Sequence, residues 1–403
     1  MSNIKKYCLY TVIYNVGYMF CTGSIVQTFL LHIGLSDRQV YLFTSVTLMA
    51  QVLMMLVMTF LSSRLRKIKL IGGISYLSFV LMATTFLLLT IWPSLMGKTF
   101  TVIIFIVSAI SYVGVGLYNV VAYILPYHTI DMADYGKMVG ISTALAGGMS
   151  FLFSFIYTYV ISKIEYMRAM TIFFLFAILC FITTSVTVLS MKEIKKQDPG
   201  KKTTKADLVA VFKNPDTYLL LIPNFARGIA GGVITVIAVI GISTKIIDVS
   251  TSAWVNAAMQ VGLFLGNAVY VGSCKKLSSG TLLIISTLGV CASLPFCVSG
   301  GAIMFFAVFT VAYFFRMMND TAIPVVVSEI IPEEQIGAFT SIRLLVMTGA
   351  QSVSALIITP IASAVGYTGL LIFAAVMQAL CGLPYYVIYR SKKKQSLKVS
   401  EEK

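Results

Sequence analysis

Charged residues are scarce in this sequence: they occupy 11% of its 403 positions, whereas hydrophobic residues occupy 58%. Soluble domains carry roughly 25% charged residues. The scarcity of charge therefore excludes a soluble fold. A membrane-spanning helix needs ~20 apolar residues because the hydrocarbon core is ~30 Å thick, so the length fits about twelve such helices.

Motifs for metal binding and catalysis are also missing from the sequence. The two histidines, His32 and His128, lie far apart, and the seven cysteines form no CxxC pair. Gly97-Lys98-Thr99 resembles the end of a phosphate-binding loop, but Trp92 stands where that loop needs a glycine. No HExxH or GxSxG motif occurs. We therefore predict no metal, no cofactor and no enzymatic activity.

Apolar runs alternate with short polar segments along the whole chain. The predicted spans are residues 7–31, 40–62, 70–91, 100–130, 136–161 and 168–190, followed by 216–243, 251–272, 280–298, 302–330, 336–364 and 367–390. The pattern predicts an all-α membrane protein. It consists of two pseudo-symmetric six-helix bundles, residues 1–190 and 216–390, a basic cytoplasmic linker at 191–215 and a tail at 391–403.

Basic residues are distributed unequally between the two sets of connections. If both termini are cytoplasmic, 22 of the 30 lysines and arginines lie in cytoplasmic segments and 5 in outer loops. Lys and Arg collect on the cytoplasmic side of membranes. We therefore predict a multi-pass protein of the cell membrane with both termini in the cytoplasm. The same distribution explains the net charge of +15, so we expect a monomer in the lipid bilayer and no nucleic-acid partner.

The two halves also repeat each other in sequence. A shift of 209 residues places Asn15 on Asn224 and Gly23 on Gly232. Together with the equal helix count, these matches indicate a parallel repeat, in which the halves are related by an axis along the membrane normal.

In this organisation the chain resembles the major facilitator superfamily over essentially its whole length. The loop at residues 62–69 keeps the basic part of that family's motif after helix 2 but lacks its glycine and aspartate, and the second-half loop at 272–276 is also partial. The resemblance implies that basic loop residues close the inner side by pairing with acids at helix ends. Orientation by positive charge explains them equally well. The candidate gating residues are Arg64, Arg66, Lys67, Asp131, Lys275, Lys276 and Glu329.

Two narrower likenesses within the superfamily are incomplete. Residues 126–136, PYHTIDMADYG, look like a pattern of the glycoside-pentoside-hexuronide cation symporters, but that pattern belongs near helix 10. Helices 2 and 4 carry no acid before Asp131, so this likeness implies neither sodium coupling nor a sugar. Helix 5 lacks the Gly-Pro signature of the drug/proton antiporters.

Polar residues inside the spans mark the candidate substrate site. In the superfamily that the chain resembles, helices 1, 4, 7 and 10 line the central cavity, and polar stripes occur on these four predicted helices. Each Asn or Tyr could equally form a hydrogen bond between helices. The candidate substrate-binding residues are Asn15, Tyr18, Tyr112, Asn119, Tyr123, Asn224, Arg227, Tyr313, Arg316 and Asp320.

Three arginines lie inside the spans and are opposed by one acid, Asp320. Arg316 and Asp320 are four residues apart, which puts them within ion-pair reach on one helix face. A structural pair and a pair lining a cavity remain equally open. Arg343 is predicted to be a gating or packing residue that either extends its charge toward the cytoplasmic surface or pairs with Glu333 or Glu334. The excess of arginine must be met by carbonyl groups, by water, by an acid at a helix end such as Glu329, or by an anion bound between Arg227 and Arg316.

The resemblance implies a secondary active transporter, a symporter that moves a small polar, and on the arginine count anionic, organic solute by alternating access. With no nucleotide motif, its energy would come from a solute gradient or an ion gradient, of protons or sodium, or the protein would be a facilitator that uses no energy source. The alternatives are efflux of amphiphilic compounds and a non-transporting membrane sensor. A sensor should have a sizeable soluble domain, and the segment 191–215 is too short for one.

Overall fold

The structure of the protein is a computed structural model that describes residues 2–61, 68–95, 97–129, 132–192, 213, 219–249, 251–274, 276–331 and 333–401. Within these ranges every regular element is a helix. The predicted all-α class is confirmed. The chain divides into two compact units, Met1–Lys202 with Asp248–Ala257, and Thr203–Ile247 with Ala258–Lys403.

Helices of the first unit correspond to the first six predicted spans. Its first span is broken at Thr22, where Gly23 has a φ of +60°, a left-handed conformation that glycine adopts at little cost. Phe20 stacks on Phe173 at a ring-centroid distance of 4.7 Å, within an aromatic core. The helices are α1 (Asn3–Cys21), α2 (Gly23–His32), α3 (Asp37–Leu61), α4 (Ile68–Ile91), α5 (Lys98–Thr129), α6 (Met132–Lys163) and α7 (Tyr166–Leu189).

The second unit also begins with a broken span, since its first two helices meet at a bend of 48°. Its last helical stretch is likewise interrupted, by Gly366 at a φ of +72°, and it continues through the predicted tail to Glu401. The helices are α8 (Leu221–Thr235), α9 (Ile237–Ser243), α10 (Ala253–Ser273), α11 (Ser279–Ser293) with a 3-10 turn (Leu294–Val298), α12 (Ala302–Ile330) and α13 (Glu333–Glu401).

Nine helices of the described chain are long and apolar enough to cross a membrane, or ten if α8 and α9 form one bent span. Two further predicted spans fall on α10 and on the part of α13 before Gly366. The polar residues Asn256, Gln260 and Asn267 lower the apolarity of α10. Since Gly366 divides α13 into two helices, each of the twelve predicted spans coincides with helix.

Candidate functional site

An ion pair joins two helices of the second unit. The guanidinium of Arg227 on α8 donates to the carboxylate of Asp320 on α12. Arg227 is 9% exposed, and the Asp320 side chain is 31% exposed. A charged side chain within a membrane costs about 2.5–3.5 kcal/mol on insertion scales. Pairing with Asp320 offsets this cost for Arg227.

This arrangement differs from the predicted pairing of Asp320 with Arg316 on the same helix. Arg316 instead lies over the ring of Tyr313, with 5.8 Å between the guanidinium carbon and the ring centroid. Cation–π contact of this kind stabilises an arginine without a carboxylate. The predicted pair within α12 is therefore wrong, because Asp320 reaches across to α8.

Asn224 lies one helical turn before Arg227 and is fully buried. Its amide nitrogen donates to the Leu220 carbonyl and to the hydroxyl of Tyr385 on α13, each at 2.6 Å. Its amide oxygen Oδ1 has no hydrogen-bond partner among the described residues. Tyr385 was not among the predicted site residues, because its 161-residue separation from Asn224 leaves no local signal in the sequence.

Arg343 on α13 belongs to the same group of side chains. It is 8% exposed, and its buried Nε has no hydrogen-bond partner in the described part of the chain. It interacts electrostatically with Tyr385, Arg227 and Asp320. The side chains of Glu333 and Glu334, its predicted partners, lie outside the described residues. We call Asn224, Arg227, Asp320, Arg343 and Tyr385 the arginine cluster.

The charges of the arginine cluster favour an anion over a cation. Two arginines face one carboxylate, so the cluster carries a net charge of +1 when all three are ionised. Across the described residues, no three His, Cys, Asp or Glu side chains come together as metal ligands. The cluster can thus attract one negative charge.

The candidates of the first unit are only partly brought together. Tyr18 on α1 and Tyr112 on α5 both pack against Phe79, with ring-centroid distances of 5.4 and 6.1 Å. Asn15 donates to the Thr11 carbonyl of its own helix at 2.7 Å. Asn119 is half-buried, and the side chain of Tyr123 lies outside the described residues. A substrate role for these residues stays a prediction.

The gating predictions mostly fall outside the described residues, and they too stay predictions. Glu329 is exposed and accepts a hydrogen bond from the Ser279 hydroxyl at 3.1 Å. Lys276 is exposed and makes no ion pair with a described residue. Of the other gating candidates, Arg343 lies in the arginine cluster; Arg64, Arg66, Lys67, Asp131 and Lys275 lie outside the described residues, either entirely or in their side chains.

The second unit also has an open groove of about 680 Å³. Apolar side chains line it, including Ile222, Phe225 and Leu380, which are all strongly exposed. The groove offers no charged group to a polar solute. The arginine cluster is therefore the better candidate site in this unit.

Comparison with known proteins yields matches among solved structures. The sequence matches no family model and no curated protein. The D-xylose-proton symporter superposes with a TM-score of 0.70 at 14% identity, covering 95% of this chain and 96% of that chain. The major facilitator superfamily transporter FucP, in its outward conformation, superposes with a TM-score of 0.63 at 12% identity, covering 97% of each chain. This chain has the major facilitator superfamily fold. The nucleoside transporter NupG matches it over 98% of this chain and 99% of its own, with a TM-score of 0.67 and 12% identity.

The major facilitator superfamily fold confirms the predicted twelve-helix architecture of two bundles. Superpositions at 12 to 14% sequence identity establish the fold, but they do not identify the solute. Counted as twelve spans, Arg227 lies on the seventh and Asp320 on the tenth, two of the four that were predicted to line a cavity. Arg343 and Tyr385 lie on the eleventh and twelfth.

Proposed function

We propose that this protein is a secondary active transporter that moves a small polar organic solute by alternating access and is coupled to protons. The ion pair between Arg227 and Asp320 carries this proposal, because it places a partly exposed carboxylate next to a buried arginine within a membrane unit. Fold neighbours named as D-xylose-proton and fucose:proton symporters support it.

Protonation of Asp320 provides the coupling step. A proton on the carboxylate would remove the charge that holds Arg227 and would loosen the link between α8 and α12. A local charge change that biases the arrangement of packed helices is a common switching device. Proton entry and helix movement would in this way depend on each other.

The excess of arginine favours a negatively charged solute. Arg227, Arg316 and Arg343 outnumber Asp320, and arginine does not readily lose its proton. The distribution of positive charge further supports a cell-membrane protein with both termini and the linker at 191–215 in the cytoplasm.

Uptake into proteoliposomes tests the proposed function. The purified protein should accumulate at least one solute of a library of organic acids, sugars and nucleosides when an inward proton gradient is imposed. Asp320→Asn should abolish this accumulation but retain exchange of labelled for unlabelled solute, which needs no net proton movement. Asp248→Asn, the same change at an exposed loop position, should affect neither process.

Two results would contradict the proposal. If no solute accumulates with the gradient, the protein is not a proton-driven transporter of these solutes. If Asp320→Asn removes exchange and accumulation equally, the ion pair is a structural contact and the coupling step is wrong.

A further inference from the structure

Arg343 is a buried arginine for which the described residues provide no ion-pair partner. It is 8% exposed, and its Nε is buried without an acceptor. A buried polar group without a partner loses the hydrogen bonds that it makes in water, and a buried charge loses far more. Arg227 has Asp320 as its partner, and Arg316 lies over Tyr313 and is only half-buried. Arg343 is thus the arginine of this unit that requires an anion.

Tyr385 supplies a second donor at the same place. Its hydroxyl oxygen accepts from Asn224, and the hydroxyl hydrogen has no acceptor among the described residues. Arg343 lies within electrostatic range of Tyr385. An oxyanion beside both residues can accept from the guanidinium and from the hydroxyl.

The unbalanced charge is a single one, because Arg227 and Asp320 neutralise each other. A monoanion would therefore bring the arginine cluster to neutrality, whereas a dianion would leave a buried negative charge. Carboxylates match the planar fork of an arginine and form short, charge-assisted hydrogen bonds with it.

We propose that Arg343 and Tyr385 bind the carboxylate of a monoanionic organic solute, and that Arg343 is the main anchor of this site. The inference rests on the proposed transport function and specifies the class of solute. It replaces the sequence-based expectation of an anion held between Arg227 and Arg316. The solute would approach from the side on which Asp320 is exposed.

Asp320 links this site to the proton. Its described charged and titratable neighbours are Arg227 on α8, Arg343 and Cys381 on α13, and Tyr313 and Arg316 on its own helix. Protonation of Asp320 removes one negative charge near Arg343. The carboxylate should consequently bind more tightly as the pH falls, provided that the solute itself stays ionised.

Thermal unfolding of the full chain in lipid nanodiscs tests the site. The probes are monocarboxylates such as lactate, pyruvate and benzoate, with inorganic phosphate, glucose and uridine for comparison, at constant ionic strength. At least one monocarboxylate should raise the unfolding temperature of the wild-type protein. Arg343→Gln should weaken its binding by about 30-fold or more, as expected for removing one partner of a buried charge pair. Arg343→Lys should retain part of the binding.

Arg390→Gln is the matched control, because it removes one arginine from an exposed position of the same helix. It should bind the carboxylate like the wild type. Asp320→Asn should bind it tightly and with little dependence on pH. The inference is overturned if no monocarboxylate binds to the wild-type protein. It is also overturned if the Arg343→Gln variant binds the monocarboxylate as tightly as the wild type does. A third contradicting result is an unfolding temperature that rises only with phosphate or only with the neutral solutes.

The transport assay separates this inference from the proposed function. If a neutral solute accumulates with the proton gradient and Arg343→Gln leaves its uptake unchanged, the site is wrong and the transport function stands. If a monocarboxylate binds through Arg343 but is not accumulated, the site stands and the transport function is wrong.

Discussion

Single side chains in the second unit show how a membrane protein tolerates buried charge. Arg227 is almost fully buried, so its charge requires a partner, whereas the Asp320 side chain is 31% exposed. The two members of the pair are therefore not equivalent. Loss of Asp320 would strand a buried cation, but loss of Arg227 would leave a carboxylate that water or a proton can satisfy.

This asymmetry gives a prediction for stability. Asp320→Asn should lower the free energy of unfolding by about 2 kcal/mol, below the ~3–5 kcal/mol of a fully buried pair, and Arg227→Gln by about half as much. The double variant should be more stable than Asp320→Asn alone, because the stranded charge is gone. Reversible unfolding in detergent micelles, followed by circular dichroism, measures the cycle. Additive costs in the double variant would contradict the pairing.

Sequence reasoning found the charged members of the arginine cluster but not their partners. Arg227, Asp320 and Arg343 stand out because a charge is rare in an apolar span. The rule for residues four apart favoured Arg316 as the partner of Asp320, whereas the structure pairs Asp320 with Arg227 on α8. Tyr385 carries no charge and is distant in sequence, so only the folded chain reveals its contact with Asn224.

At the level of helices, a close contact between α8 and α13 positions the cluster. A methyl group on Gly228 would collide with the Met347 carbonyl, and one on Gly232 would collide with the Ser354 hydroxyl. Small residues four apart let membrane helices approach closely. Asn224 precedes Gly228 by one turn, so this contact also brings it against α13.

A glycine substitution tests this role. Gly228→Ala should push the two helices apart and lower the free energy of unfolding by about 1–3 kcal/mol, the usual cost of overpacking. It should also weaken carboxylate binding at Arg343, since the cluster spans both helices. Gly349→Ala on α13 is the control, because a methyl group there meets nothing within 4 Å. Unfolding in micelles measures the stability of both variants. Equal stabilities would show that a methyl group at Gly228 fits between the two helices.

Helix positions were more predictable than helix breaks. Apolar runs located every span, because each must cross ~30 Å of hydrocarbon. The break at Thr22 and the bend between α8 and α9 depend on packing, and neither was predicted. The α-helix at residues 253–273 was predicted although it contains Asn256, Gln260 and Asn267, since the polar segments on either side define it.

For the whole molecule, two observations of different origin agree. The repeat in the sequence predicted equivalent halves, and the structure breaks the first span of each unit. The fold followed from composition and periodicity because membrane burial limits the possible architectures. The identity of the solute could not be predicted from composition and periodicity, because its recognition depends on a few side chains from distant parts of the chain.

Orientation in the membrane is a further prediction at this scale. Lys98 begins α5 and Lys163 ends α6, so the charge distribution places both outside, whereas Lys205 in the linker should be cytoplasmic. Single cysteines at these positions, in a background without the seven native cysteines, can be labelled with an impermeant maleimide on intact cells. Lys98→Cys and Lys163→Cys should react at once, and Lys205→Cys only after permeabilisation.

Because 22 basic residues on one side oppose 5 on the other, a reversed protein would move most of the positive charge across the membrane. Labelling of Lys98→Cys and Lys205→Cys from the same side would contradict the twelve-span topology, and exchange of their sides would contradict only its orientation.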